Sequence, residues 1–188
     1  MEVGALIAEL IDPEPYSTIY DPTCGSGGLL IKASMRYEQR HPDLEERGKK
    51  PRLYGQELNP ATFAIAKMNM FLHDYINAHI ALGDTFTRPE FGSEGAGLQR
   101  FRYVVANPMW NQKQYKEDFF ANDKWGRFTF GTPPNSSADW GWASTSSPPS
   151  RPTAAPPSCW IRAPSRAAPA LAARIKSATS ARRWSRRM

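Results

Sequence analysis

Residues 17–28, which read STIYDPTCGSGG, decide the fold of this chain of 188 residues. The β-prone residues 17–21 predict a short strand that ends at Asp21, and Pro22 opens a turn rich in glycine. A helical pattern then runs from Leu29 to Arg40. A strand ending in an acid, followed by a glycine-rich turn and a helix, is typical of an α/β sheet that binds an adenosine-type ligand at the carboxyl edge of its strands.

The segments on either side of this unit continue the alternation of strands and helices. We predict a helix at residues 2–11, strands at 53–57, 79–82 and 101–106, and a helix from Pro60 to about His73, with Asn59 as its cap. In the first helix, helical spacing places five apolar residues on one face: Val3, Leu6, Ile7, Leu10 and Ile11. The order β-α-β-α-β-loop-β predicts a doubly wound parallel sheet of the α/β class, with a loop rich in glycine and charge before the fourth strand.

The glycines of the turn favour a ligand that approaches the backbone closely. Gly25, Gly27 and Gly28 have no Cβ atom to collide with such a ligand. No Lys-Ser/Thr pair follows them, which argues against a phosphate-binding P-loop. A tight strand-to-helix turn without any ligand is an equally good explanation of glycine spacing alone.

Two further acids favour the ligand over the bare turn. Glu57 and Asp84 each end a predicted strand, and a parallel sheet brings them to the same edge as Asp21. Glu57 is suited to accept hydrogen bonds from both ribose hydroxyls, and Asp84 from an adenine amino group. A single acid in such a place is more often a helix cap or a solvated loop residue, but three at one edge indicate a binding site.

Four motifs, in this order, resemble the modification subunit of type I restriction-modification systems. They are residues 21–28 (DPTCGSGG), 54–60 (YGQELNP), 83–86 (GDTF) and 105–108 (VANP). The resemblance covers residues 1–142 almost continuously and includes 111–113 and 131–139. It implies a Rossmann-like methyltransferase sheet, S-adenosyl-L-methionine as the cofactor, and methylation of adenine N6 in DNA. The cofactor contacts that it implies are Asp21, Thr23, Cys24, Gly25, Ser26, Gly27, Glu57 and Asp84.

The resemblance also implies a catalytic tetrapeptide, which in this family reads Asn-Pro-Pro-Phe or Asn-Pro-Pro-Tyr. The Asn107 side-chain oxygen and the Pro108 carbonyl would accept hydrogen bonds from the two N6 hydrogens, and an aromatic ring would stack on an adenine flipped out of the duplex. Trp110 would supply that ring. The chain reads Asn-Pro-Met-Trp here and departs from the family pattern at Met109 and Trp110, which puts efficient catalysis in doubt.

The resemblance implies double-stranded DNA and the specificity and restriction subunits of the complex as partners. A related class with a similar tetrapeptide methylates glutamine in proteins, so a protein-glutamine N-methyltransferase is an alternative function. A further alternative is a pseudogene product without enzymatic activity. Residues 111–113 and 131–139 favour the DNA enzyme.

Composition divides the chain into a partial catalytic domain at residues 1–142 and a basic tail at 143–188. The tail contains 9 of the 24 Lys and Arg residues and no acid, with 7 Pro, 9 Ser and 11 Ala among 46 positions. Such a composition predicts disorder. We interpret it as the product of a reading-frame shift near codon 143, with a natural low-complexity tail as the alternative. We therefore expect a truncated chain, clipped at both ends, with an exposed apolar fourth strand and no activity in isolation.

The remaining composition points to a protein of the cytoplasm. Cys24 and Cys159 form no framework of bridges or metal ligands, and no secretory signal or membrane-spanning apolar run is visible. His41, His73 and His79 lack the spacing of metal ligands, so we expect no metal site.

Overall fold

The computed structural model describes residues 3–43, 49–93, 97–112, 115, 117–128, 131–134 and 136–145. The elements, in chain order, are α1 (Val3–Ile11), β1 (Thr18–Asp21), α2 (Gly28–Arg40), β2 (Arg52–Glu57), α3 (Pro60–Leu72), β3 (His79–Leu82), β4 (Gly92–Ser93), β5 (Gly97–Leu98), β6 (Tyr103–Val104), α4 (Glu117–Ala121) and α5 (Asp139–Thr145). The long helices α2 and α3 have 13 residues each, and no helix in these ranges combines the length and apolar character needed to cross a bilayer.

The main sheet has four parallel strands in the order β3-β2-β1-β6. The chain moves outward from β1 to β2 and β3, and then returns to place β6 on the other side of β1. The strand order therefore reverses beside β1, and ligands of open α/β sheets bind in the crevice at the carboxyl end of such a point. The predicted α/β fold and its Rossmann-like strand order are confirmed.

The main core lies between one face of the sheet and helices α1, α2 and α3. Ile19, Leu53 and Ile80 from three strands meet Leu30 of α2 and Ala66 of α3 in the main core. The face predicted for α1 is partly wrong, because Leu6 and Leu10 are exposed at 42% and 57%. Helix α1 instead buries Gly4, Ile7, Ala8 and Ile11 against its neighbours. The small residues Gly4 and Ala8 let α1 approach α2 closely, and this packing overrides the apolar pattern.

Asn59 caps α3 as predicted. Its Oδ1 atom accepts from the Ala61 and Thr62 backbone N–H groups at 2.9 and 3.3 Å, and Pro60 occupies the first turn. These bonds satisfy two of the donors that every helix leaves open at its start. The cap fixes where α3 begins, directly after the end of β2.

The fourth strand is shorter than the predicted residues 101–106. Only Tyr103 and Val104 form strand β6, and the Val105 N–H continues the pairing to Tyr20 O at 2.9 Å. Phe101 turns away and stacks on Tyr20 of the opposite sheet face, with ring centroids 4.5 Å apart. In the described sheet β3 and β6 are the two edge strands, and Val104 of β6 is buried rather than exposed.

Two features fall in segments for which we predict no regular structure. The loop between β3 and β6 contains the antiparallel pair β4 and β5. Beyond β6, a second core joins four buried residues from three segments: Phe86, Phe120, Ala138 and Trp142. Helix α5, which contributes to this core, continues to Thr145, three residues past the predicted domain boundary at residue 142. The boundary itself stays a prediction. The predicted disorder after Thr145 lies outside the described residues.

Candidate cofactor and base site

The glycine turn adopts a backbone that favours glycine at two positions. Gly25 and Gly27 have φ angles of 55° and 82°, in the left-handed region. A Cβ atom built on Gly27 would lie 2.5 Å from Met70 Cε of α3. The neighbouring Asn69 also donates from Nδ2 to Ser26 O at 2.9 Å. Helix α3 therefore supports the turn through both packing and a hydrogen bond.

A cavity of 360 Å³ opens beside this turn at the carboxyl end of β1. The residues that line it are Gly4, Asp21, Thr23, Cys24, Gly25, Ser26, Gly28, Leu29, Lys32 and Asn107. A Cβ atom at Gly25 or Gly28 would meet nothing within 4 Å, so the backbone there faces open space. Asn107, which is far from the turn in sequence, reaches the same cavity because β6 lies next to β1 in the sheet.

Asp21 is the buried acid of this cavity. Its side chain is 1% exposed, and Oδ1 accepts from the Thr23 N–H at 2.9 Å and, more weakly, from Thr23 Oγ1 at 3.5 Å. Burial raises the pKa of Asp21 to about 7, against the lowering effect of the Thr23 bonds. A cationic partner would stabilise the ionised form of this buried carboxyl group, because a nearby positive charge lowers its pKa.

Glu57 touches the turn from the end of β2. Its Oε2 atom accepts from the Gly25 N–H at 3.0 Å, and Oε1 accepts from the Asn59 N–H at 2.8 Å. Each carboxylate oxygen has a further lone pair for another donor. Glu57 is thus held in a fixed orientation beside Gly25, and each of its carboxylate oxygens can still accept another hydrogen bond.

Asp84 lies at the end of β3 and does not line the cavity. Its Oδ1 atom accepts from the Phe86 N–H at 2.9 Å, and Oδ2 accepts from the Tyr115 hydroxyl at 3.0 Å. Thr85 donates from Oγ1 to Pro22 O at 2.5 Å, which ties this strand end to the start of the glycine turn. Asp21 and Glu57 therefore contact the glycine turn directly, whereas Asp84 is linked to it only through its neighbour Thr85. Of the three strand-end acids, only Asp21 lines the cavity.

Cys24 has a structural environment. The residue is 5% exposed, its N–H donates to Gln56 O at 2.9 Å, and a Cβ atom at Gly55 would lie 2.9 Å from its Sγ atom. Burial raises the pKa of the Cys24 thiol, so the thiol stays protonated and is a poor nucleophile. In the described part of the chain, no group of His, Cys, Asp and Glu residues is arranged to hold a metal ion.

Of the tetrapeptide at residues 107–110, Asn107 lines the cavity and the other three residues do not. Asn107 is exposed, Pro108 is buried, Met109 is 70% exposed and Trp110 is half-buried. The backbone beyond it is held by α5, since the Asn111 N–H donates to Asp139 Oδ1 at 2.8 Å. The side chain of Asn107 is therefore accessible on a backbone that is fixed on both sides, by β1 and by α5.

Sequence reasoning misses the residues that brace the end of β3. Arg127 is buried, pairs with Asp123, and donates to Thr85 O at 2.9 Å and Phe86 O at 2.7 Å. Gln56, which is fully buried, donates from Nε2 to Arg88 O at 2.8 Å and accepts from the Glu90 N–H at 3.1 Å. The spacing of Asp123 and Arg127 by four residues is the one sequence signal that points to this segment.

The residues of the site fit an adenosine-type cofactor. The backbone at Gly25 and Gly28 faces open space, Glu57 has acceptor capacity beside it, and the cavity contains both an acid and a base. These features match a ligand with ribose hydroxyls and an amino-acid end.

Similar folds occur among S-adenosylmethionine-dependent methyltransferases. A protein from Listeria monocytogenes described as a class I enzyme of this kind superposes with a TM-score of 0.55, covering 77% of this chain and 40% of that one. At 15% identity this likeness shows the fold alone. The type I restriction-modification methyltransferase subunit from Streptococcus thermophilus is 26% identical, with a TM-score of 0.60, over 77% of this chain and 30% of that one. The fold is that of the class I methyltransferases.

The chain belongs to the N-6 DNA methylase family, whose model matches residues 1–146. The MjaVIII type I methylase subunit of Methanocaldococcus jannaschii is 38% identical over 149 residues, 76% of this chain and 24% of the relative. The HindI type I methylase subunit of Haemophilus influenzae is 34% identical, over 74% of this chain and 29% of the relative. The family predicted from the four motifs is confirmed, and the chain spans about a quarter of the length of these relatives.

Proposed function

We propose that this chain binds S-adenosyl-L-methionine in the cavity beside the glycine turn and presents a flipped DNA adenine to it at Asn107. The observation that carries the proposal is that Asn107 and the turn residues line one cavity. A methyl donor and its acceptor atom must meet in a single space, because transfer depends on alignment. Membership of the N-6 DNA methylase family supports adenine N6 as the acceptor.

The turn and the strand-end acids hold the cofactor in this proposal. Gly25 lets the backbone approach it and Gly27 lets the turn pack on Met70, while Thr23, Cys24 and Ser26 also line the cavity. Glu57 accepts from the ribose hydroxyls with the lone pairs left by its two backbone bonds. Asp84 accepts from the adenine amino group, and Asp21 faces the amino-acid end. When bound, the cofactor supplies an electrophilic methyl group on a sulfonium centre.

The tetrapeptide orients the target base. An exocyclic amine is a weak nucleophile because its lone pair is delocalised into the ring. Asn107 Oδ1 and the Pro108 carbonyl accept from the two N6 hydrogens and direct the lone pair towards the methyl donor. Pro108 supplies no N–H to compete for these acceptors, and Trp110 offers a stacking surface for the flipped base. Met109 replaces the second proline of the family pattern with a more flexible residue.

The relatives named above support a place in a type I restriction-modification system. We propose that the partners are double-stranded DNA and the specificity and restriction subunits of such a complex. The positive net charge of the chain comes from its tail, because residues 1–142 contain all 18 acids and only 15 of the 24 Lys and Arg residues. With this balance of charge the segment is not expected to attract DNA phosphates strongly by itself, so in this proposal the partner subunits contribute to the DNA contact.

Titration with S-adenosylhomocysteine by calorimetry tests the cofactor site without requiring the remainder of a longer enzyme. We expect the parent chain to bind and Glu57→Gln to bind roughly tenfold or more weakly, because one charged acceptor is lost. Glu14→Gln is the matched control: Glu14 is exposed and pairs with Arg102 away from the cavity. Absence of binding to the parent, or equal binding by Glu57→Gln, contradicts the proposal.

The nature of the substrate needs a separate experiment. The chain is incubated with cofactor labelled in its methyl group and with either a duplex oligonucleotide or a glutamine-containing protein. Label in adenine N6 supports the proposed function, and label in neither substrate is the result that the expected inactivity of the isolated chain predicts. Label in protein glutamine contradicts it and favours the alternative that a similar tetrapeptide allows.

A further inference from the structure

Lys32 of α2 lines the same cavity as Asp21 and the glycine turn. It lies one helical turn after Gly28, where α2 begins, and its side chain is half-buried in the cavity wall. The stem of Lys32 rests on Gly4 of α1: a Cβ atom built there would lie 2.9 Å from Lys32 Cδ and 3.3 Å from Nζ. Glycine at position 4 therefore provides the space in which this side chain lies.

The charges in the cavity wall are complementary to an amino acid. Among the described residues that line the cavity, Asp21 is the one acid and Lys32 the one base. The amino-acid end of the cofactor has an α-ammonium and an α-carboxylate group, so it presents one charge of each sign. With the ammonium facing Asp21, the carboxylate requires a separate donor in the cavity wall. The ammonium of Lys32 provides three N–H donors and a full positive charge.

We propose that Lys32 binds the α-carboxylate of the cofactor and selects ligands that have an intact amino-acid end. The inference rests on the proposed function, which it extends to the recognition of one particular group. Charge-assisted hydrogen bonds between ammonium and carboxylate are among the stronger polar contacts in proteins. Because Lys32 lies in the cavity beside Gly4, its contribution depends on the close approach of α1 to α2.

The test compares two ligands that differ in the amino-acid end alone. S-adenosylhomocysteine has the α-carboxylate, whereas 5′-methylthioadenosine has the same nucleoside and sulfur without it. Binding of each ligand to the full chain is measured by calorimetry for the parent, Lys32→Met and Lys32→Arg. We expect Lys32→Met to lower the affinity for S-adenosylhomocysteine roughly 10- to 100-fold and to leave the affinity for 5′-methylthioadenosine unchanged. Lys32→Arg retains the charge and restores most of the affinity.

Two further variants separate a local effect from a general one. Lys67→Met removes the same charge from an exposed position of α3 and should change neither affinity. Gly4→Ala crowds the Lys32 stem and should reproduce the selective loss of S-adenosylhomocysteine. If Lys32→Met loses affinity for both ligands equally, or for neither, the inference is overturned. The cofactor site itself still stands in that case, provided that the parent binds S-adenosylhomocysteine. Binding of neither ligand by the parent overturns the proposed function, and this inference with it.

Discussion

The Tyr115 hydroxyl donates to Asp84 Oδ2 at 3.0 Å, across 31 residues of sequence. The other carboxylate oxygen of Asp84 accepts from the Phe86 N–H, so the acid is held from two directions. The Tyr115 ring also packs edge-on against Phe86, with centroids 4.8 Å apart. The segment that follows the Asn107 tetrapeptide thus fixes the orientation of the acid at the end of β3.

We expect Tyr115→Phe to lower the free energy of unfolding by about 1 kcal/mol, the usual net value of a hydrogen bond. The ring packing against Phe86 is retained, so the hydroxyl alone is tested. The measurement is urea unfolding followed by fluorescence. Tyr16→Phe, at a tyrosine that is 66% exposed, is the control and should have no effect. Equal stability of Tyr115→Phe and the parent contradicts a bracing role for the hydroxyl.

Arg127 connects the second core to the end of β3, and its loss should be costly. Arg127→Leu leaves buried Asp123 without its charged partner, with only the backbone N–H of residue 127 still donating to it, and removes the donors to Thr85 O and Phe86 O. We expect a loss of roughly 3–5 kcal/mol of unfolding free energy, measured in urea. Arg102→Leu, which breaks the exposed pair with Glu14, should cause no measurable change.

The same contacts predict a partial recovery in a double variant. Asp123→Leu combined with Arg127→Leu removes the unpaired buried charge, so the double variant should be more stable than Arg127→Leu alone. If the double variant is the less stable of the two, the loss in Arg127→Leu comes from packing and not from the orphaned carboxylate.

Burial of Asp21 predicts a pH dependence of stability in the absence of ligand. Its pKa is about 7 in the folded chain, against an ordinary value of 3.8, so the folded protein retains a proton that the unfolded chain releases. The contribution of Asp21 to stability is complete below about pH 4 and is lost as the pH rises through 7. Unfolding free energy of the parent relative to Asp21→Asn should therefore fall from pH 5 to pH 8, by at most about 1.4 kcal/mol per pH unit. A flat difference over this range would show that Asp21 is solvated.

Gly27 combines a left-handed backbone with close packing. Gly27→Ala introduces both backbone strain and a contact with Met70, whereas Gly97→Ala, at a φ of 80° with open space around it, introduces the strain alone. We expect Gly27→Ala to cost about 1 kcal/mol more than Gly97→Ala, because buried Met70 must repack. Thermal unfolding of the two variants gives the comparison. Equal costs would mean that Met70 does not support the turn.

Local sequence signals account for most of the sheet. Asp21, Glu57 and Gly83 mark strand ends because acids and glycine interrupt β structure, and Asn59-Pro60 marks a helix start for a similar local reason. The same reasoning fails on α1, where the exposure of Leu6 and Leu10 depends on which helix lies alongside. Local signals decide where an element begins and ends, but not which of its faces is buried.

The bracing contacts of the site could not be predicted because they join distant segments. Arg127 reaches Thr85 across 42 residues, and Gln56 reaches Arg88 across 32. The sequence around Arg127 and Gln56 contains no signal that indicates these partners. The meeting of Asn107 with the glycine turn is predictable because both follow strands of one parallel sheet, a rule that holds whatever the loops contain.

A crystal structure of the chain with S-adenosylhomocysteine tests the central claim most directly. We predict the ligand beside Gly25 and Gly28, with its ribose hydroxyls on Glu57 and its sulfur facing the Asn107 side chain. A ligand bound elsewhere, or one whose sulfur is separated from Asn107 by the glycine turn, would contradict a shared cavity for methyl donor and target base.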